Sequence, residues 1–288
     1  MMIGYLLGGA VAAGAVCLVR SAYERKHFVT EEYVIETEKL REEEHVFVFL
    51  SDLHDQQFGT DNTSLIQAID QVHPDGVLIG GDLMVSHGKT DTTIAKRLVQ
   101  QLAERYPVFY AYGNHESRMR ARTEVYGTQF EEYVRELESC GVTMLRDENV
   151  PVGDSIMIAG AELENRYYKN VKNDMLYAGD LEKKLGSAST ERFQILLSHS
   201  PLFFDAYEAW GADLSLAGHF HGGTIRLPWL GGVMTPQFQF FLPWCAGFFE
   251  KNHRYMIVSR GLGTHSINIR LNNKPQLIVV RVKKKTTF

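Results

Sequence analysis

Short apolar runs alternate with amphipathic stretches along this chain. Residues 46–50, 77–79 and 108–112 are almost unbroken apolar runs, the pattern of strands buried on both faces. Between them, residues 65–72 and 91–105 have helical spacing, and Pro74 stops the first. Residues 124–140 read as one helix, closed by Gly141. Further strands are expected at 143–146, 156–160, 194–198, 214–217, 256–259 and 277–282. Strand and helix alternate over the first half, which predicts an α/β domain. No repeat or low-complexity linker divides residues 46–282.

Residues 3–19 are uncharged and rich in Leu, Val, Ala and Gly. A spanning helix needs about 17–25 such residues. No basic residue precedes the run, as one would in a cleaved signal peptide. The expectation is a single-pass transmembrane anchor at 1–27, a linker and opening strand at 28–45, and a catalytic domain at 46–288. Arg20, Arg25 and Lys26 follow the apolar run, which places that domain on the cytoplasmic side.

Composition narrows the classes. Of 288 residues, 44% are hydrophobic and 23% charged, which excludes a disordered or fibrous chain. The net charge of −5 argues against a dedicated nucleic-acid binder. Cys17, Cys140 and Cys245 lie far apart and make neither a disulfide framework nor a cysteine zinc site. No obligate protein partner is inferred.

Five apolar runs end alike. They lead into Ser51-Asp52-Leu53-His54, Gly80-Gly81-Asp82, Gly113-Asn114-His115-Glu116, Ser198-His199-Ser200-Pro201 and Gly218-His219-Phe220-His221. Ligands of open α/β sheets bind at the carboxyl ends of strands, so these residues are expected to converge. If the chain stays extended there, Asp52 with His54, and His219 with His221, point the same way. Asp52, His54, Asp82, Asn114, His199, His219 and His221 are too many ligands for one catalytic zinc. They suit two metals sharing a carboxylate, and the mixture fits Mn, Fe or Zn.

In this order, D-x-H, GD, GNH(E/D), a lone His after a strand, and GHxH resemble the calcineurin-like metallophosphoesterases. The resemblance covers residues 46 to about 282. It implies a two-sheet β-sandwich flanked by helices (four layers, αββα) and a dinuclear centre that hydrolyses phosphoesters. It further implies that Asp52, His54 and His221 hold one metal. Asn114, His199 and His219 would hold the other, with Asp82 bridging. His115 would contact the phosphate and assist the leaving group.

Asp82 is followed by Leu83-Met84-Val85, unlike the Arg-Gly of Ser/Thr protein phosphatases or the Tyr of purple acid phosphatases. The N-terminal apolar segment, the Gly218–Gly223 motif and Ser259-Arg260-Gly261-Leu262-Gly263 resemble bacterial membrane-associated YkuE-like phosphoesterases. Related enzymes of the lipid A pathway cleave a UDP-linked lipid at its pyrophosphate. The expected activity is therefore that of a phosphodiesterase or pyrophosphatase acting on a lipid- or nucleotide-linked phosphoester at the membrane. Rival readings are a non-catalytic metal-binding scaffold and a nuclease. The stretch 227–249 holds Trp229, Phe238, Phe240, Phe241, Trp244, Phe248 and Phe249. About half of these are expected in the core and the rest at lipid or an acyl chain. Arg118, Arg120 and His87 are candidates for the substrate's anionic group.

Overall fold

The computed structural model describes residues 2–88, 90–169, 175–235, 239–264 and 267–286. The chain opens with α1 (Met2–Glu24), β1 (Val29–Thr37), β2 (Glu44–Leu50), α2 (Thr63–Val72), β3 (Gly76–Ile79), α3 (Thr93–Ala103) and β4 (Val108–Ala111). It continues through α4 (Asn114–Ala121), α5 (Thr123–Tyr126), α6 (Gln129–Ser139), β5 (Thr143–Leu145), β6 (Glu148–Val152) and β7 (Ile156–Gly160). Then come α7 (Arg166–Lys169), α8 (Ala178–Leu185), β8 (Phe193–Leu197), α9 (Phe204–Trp210) and β9 (Leu214–Ala217). The short hairpin β10 (Arg226–Leu227) and β11 (Gly231–Gly232) precedes β12 (Gly247–Lys251), β13 (Arg254–Val258) and β14 (Gln276–Lys284).

Two six-stranded sheets stack, in the orders β1-β14-β2-β3-β4-β5 and β12-β13-β9-β8-β7-β6. Side chains alternate along a strand, so each buried strand serves two layers. Phe47 and Phe49 of β2 point between the sheets and meet Leu78, Phe109, Ile195 and Ile278. Val46, Val48 and Leu50 point outward to Leu65, Ile69, Leu98 and Leu137 on the covering helices. Across the second sheet, Leu196 packs with Leu181, Tyr207 and Trp210 of α8 and α9. These layers are helix, sheet, sheet, helix. Truncating a fully buried ring such as Phe49 to Ala should cost about 3–5 kcal/mol.

The central strands run parallel, β2 to β3 to β4 to β5 and β7 to β8 to β9 to β13. Their carboxyl ends therefore share one rim. The expected helix at 124–140 is broken into α5 and α6, and Gly127 turns between them at φ 57°. β1 spans the whole of the expected short strand and pairs in parallel with β14, so residues 29–37 belong to a sheet. The strands β6 and β12 had no apolar run to announce them. Each is an edge strand with a single partner, and β6 carries Pro151, which edges tolerate.

The residues of the expected anchor are helical in α1, and among the described residues no helix is long and apolar enough to cross a membrane. Val11, Val16, Leu18 and Val19 are exposed, whereas Ser21 and Glu24 of the last turns are buried.

Candidate metal centre

β2, β3, β4, β8 and β9 end at Leu50, Ile79, Ala111, Leu197 and Ala217, and the loops that follow bring the polar residues together. The geometry is not the extended zigzag expected of D-x-H and H-x-H. Asp52, His54, Asp82, His219 and His221 have φ of 52°, 45°, 55°, 70° and 51°, a left-handed region costly for residues with a Cβ. Such outliers cluster where function over-determines the backbone. Close approach completes the turns: a Cβ on Gly218 would overlap Ser51 Oγ and Asp52 Oδ2, and one on Gly113 would overlap Asp82.

Three groups of ligand atoms each fall within 4.8 Å of one another: Asp52, His54 and His221; Asp82, His199 and His219; and His54, Asp82 and His115. His54 Nε2 and His221 Nε2 face each other at 3.1 Å, and Asp52 Oδ1 is 3.4 Å from His221 Nε2. Asp82 Oδ2 lies 3.0 Å from His199 Nε2 and 4.0 Å from His54 Nε2, between the first two groups. The Asn114 amide lies against the same atoms: its Nδ2 donates to Asp82 Oδ2 at 3.1 Å and to His219 Nδ1 at 2.8 Å. His199 Nε2 is buried and lacks hydrogen-bond geometry to any neighbour, despite its nearness to Asp82. Carboxylate, imidazole and amide ligand atoms thus converge on one buried centre. Two ligands about 2.1 Å from one ion stand roughly 3–3.5 Å apart, so these donors fit divalent cations.

The residues flanking this centre match the model of the calcineurin-like phosphoesterase family, over 45–223. The chain belongs to that family. It is similar to phosphodiesterase YaeI of Escherichia coli K12, with 26% identity over 82% of this chain and 81% of the relative. The metallophosphoesterase YkuE of Bacillus subtilis 168 is 27% identical over 98% of this chain and 95% of its own. A Danio rerio protein called a transmembrane protein with metallophosphoesterase domain is 28% identical over 82% of this chain and 52% of its own. The family depends on two divalent metals, and this phosphoesterase is a metal-dependent hydrolase.

The imidazoles of the phosphoesterase are aimed by backbone. His199 Nδ1 meets Gly80 O at 2.7 Å, and His221 Nδ1 meets Gly263 O at 3.1 Å. A carbonyl can only accept, so both rings carry hydrogen at Nδ1 and present Nε2 to the centre. His115 is set the other way: Ser86 N donates to its Nδ1 at 2.8 Å, which leaves the proton on Nε2. Sequence reasoning left Glu116 without a role, yet it organises the loops. It accepts from Asp82 N (2.8 Å), Leu83 N (3.1 Å), Gly113 N (3.1 Å) and Tyr110 Oη (2.6 Å). In doing so it caps the start of α4.

Charge is balanced around the same point. Burial raises the Asp52 carboxyl above its usual range, and His199 offsets part of the rise. Burial acts on Asp82 too, but His199, His115 and His54 hold it well below that range. For His199, burial opposes charging, yet Asp82 and Asp52 lift it to about 10. Burial and Arg270 keep His221 well below its ordinary value. The carboxylates therefore draw positive charge to the centre, the demand a cation meets.

Other predicted residues lie elsewhere. Arg118 Nη1 donates to Ser86 O at 3.2 Å and braces the loop that holds His115. Arg120 forks onto Glu162, which Arg146 also reaches at 3.0 Å, so its guanidinium is engaged by protein. His87 is exposed beside Ser86. Tyr168 was not foreseen. Its ring lies 4.9 Å from that of His219 and 6.0 Å from that of His199, and its buried hydroxyl has no hydrogen-bond partner among the described residues. Nothing local marks it, because it sits in a four-residue helix away from the motifs. In the aromatic stretch, Trp244 stacks edge-on against Phe204 and Phe249 packs beside it on a buried cluster. Trp229, Phe240 and Phe241 are exposed, and Phe248 stacks on Tyr33 and Tyr255. Phe238 lies outside the described residues.

Proposed function

We propose that the phosphoesterase cleaves a phosphodiester or a pyrophosphate, using two divalent cations per chain. Asp52, His54 and His221 would hold one, and Asn114, His199 and His219 the other, with Asp82 between them. Mn, Fe and Zn all suit this mixture of imidazole and carboxylate. When bound, the cations neutralise the anionic substrate and acidify water for in-line attack. The observation that carries the reading is the buried cluster of Asp and His ligand atoms from both sheets, each group lying within 4.8 Å.

The chain's own residues supply the rest. Ser86 N occupies Nδ1 of His115, so Nε2–H is the group His115 offers to a phosphoryl oxygen. Arg118 steadies Ser86. The Tyr168 hydroxyl, a donor with no partner among the described residues, would reach a substrate oxygen beside His219. A lipid-linked or nucleotide-linked substrate at the membrane is the class we infer. Exposed Trp229, Leu230, Phe240 and Phe241 follow the His221 loop and support an apolar substrate portion, since aromatics favour wet–apolar boundaries. The name of the E. coli relative supports the diesterase reading.

The test is hydrolysis of an aryl phosphodiester and its monoester by the full chain, stripped of metal and refilled with Mn, Fe or Zn. Restored cleavage that favours the diester is expected. No turnover with any metal, in a chain that binds two ions, would overturn the hydrolytic reading of the centre.

A further inference from the structure

His221 reaches the centre from a loop that has no regular structure of its own, and a buried polar assembly holds that loop in place. Arg270 is 1% exposed. Its Nη2 donates to Arg260 O (2.8 Å), Gly261 O (3.1 Å) and Gly263 O (2.5 Å), and its Nη1 to Asn273 O (3.1 Å). Gly263 O is also the acceptor for His221 Nδ1. Asn273 Nδ2 donates to His221 O at 2.7 Å and to Gly223 O at 3.0 Å. The backbone and the ring of His221 are thus each gripped by one member of a pair.

The same pair reaches α1. Arg270 N donates to Ser21 Oγ at 3.0 Å, and Asn273 N donates to Glu24 Oε2 at 2.8 Å. Ser21 and Glu24 are 3% and 2% exposed. One continuous hydrogen-bonded path therefore runs from the N-terminal helix to a proposed metal ligand, across about 200 residues of sequence.

Burying a guanidinium costs several kcal/mol unless good geometry offsets it. Among the described residues no carboxylate forms an ion pair with Arg270; its charge rests on carbonyl oxygens. A neutral donor could close such a loop at lower cost. A planar fork of donors adds fixed directions for several carbonyls at once, and one of those carbonyls aims His221.

We propose that Arg270 and Asn273 form a clasp that positions His221 for its metal and couples that position to the docking of the last turns of α1. The inference rests on the ligand role proposed for His221. Its consequence is reciprocal: whatever loosens α1 weakens one metal, and loading that metal tightens α1.

The test is titration of Mn2+ into the metal-free full chain, followed by calorimetry and by electron paramagnetic resonance. Arg270→Lys keeps the charge but loses the fork, and should weaken one of the two ions by about 10- to 100-fold. Ser21→Ala combined with Glu24→Gln touches no ligand and should weaken the same ion about fivefold. In amide exchange, residues 20–24 of the wild type should be better protected once Mn2+ is bound. If Arg270→Lys does not fold, the α1 double variant decides. A wild type that binds no Mn2+ would sink the metal reading and the clasp together. A wild type that binds two ions, with unchanged affinities in the folded α1 variant, would overturn the clasp alone.

Discussion

At the carboxyl ends of β2, β3, β8 and β9 the two sheets meet through clustered ligand atoms: Asp82 Oδ2 is 3.0 Å from His199 Nε2, and His54 Nε2 is 3.1 Å from His221 Nε2. At the opposite end, donors meet acceptors. Lys39, ahead of β2, donates to Asp213, ahead of β9, at 2.7 Å. Asp213 also accepts from Gln194 N and from Arg254. Nearby, Ser155 Oγ, ahead of β7, accepts from Arg41 N at 2.8 Å. Both ends join the same sheets, but among the described residues only the near end gathers imidazole and carboxylate atoms into groups that could hold a cation. The far end is a structural closure, and the near end is a set of ligand atoms that a cation completes. Asp52, His54, Asp82, His219 and His221 are left-handed, so backbone strain coincides with the ligand cluster at the near end.

The largest expected effect comes from removing the shared charge. Asp82→Asn should lose both ions and lower kcat/KM by about 10³-fold or more, measured as metal per chain alongside diester hydrolysis. Full metal and activity in that variant would remove Asp82 from its bridging place. His115→Ala should keep both ions, because Nδ1 is turned to Ser86 and Nε2 carries the proton. Its turnover should fall by about 10²- to 10³-fold. Metal loss equal to that of Asp82→Asn would make His115 a ligand.

The part of this centre that was legible in sequence is local. A strand buried on both faces writes itself as an apolar run, and the polar residues just past its end are easy to see. That placed Asp52, Asp82, Asn114, His199 and His219 on one rim. The reason given for the pairs was wrong, since the turns are left-handed and not extended. What sequence could not show was pairing at a distance. Glu116 reads as a motif residue, yet its role depends on amides of the β3 loop. Arg270 serves His221 from far along the chain, and β1 finds its place only beside β14. In the stretch 227–249, composition alone could not say that Trp244 packs inward while Trp229 points out.

The comparison of the two ends is sharpened by two further measurements. Chelating both metals should lower the melting temperature by roughly 10 °C relative to protein with each ion about 100-fold above its Kd. A melt unaffected by chelation would mean that the near end is closed without cations. Conversely, Asp213→Asn should cost about 2 kcal/mol, because Lys39 and Arg254 lose a buried counter-charge. It should leave metal content and turnover as they are. A fall in metal content would show that the two ends are not independent.

The smallest effect tests the far end through pH. A hydrogen bond from Ser155 holds the Glu42 carboxyl down at about 2, helped by its own backbone N–H and by His45, while desolvation works slightly against them. The folded value lies below the unfolded one, near 4.3. The folded state therefore binds this proton less tightly than the unfolded chain does, and stability rises with pH through the window between the two values. The contribution is full above the unfolded value and drains away as pH falls toward 2. Glu42 is partly exposed, so solvent screening limits its worth to a few tenths of a kcal/mol. Thermal melts of the wild type and Glu42→Gln at pH 7 should differ by that small amount, and the difference should shrink below about pH 4 and vanish below about pH 2. A difference that instead grew as the solution was acidified would mean that the sheets are not held at this end by the Glu42–Ser155 contact.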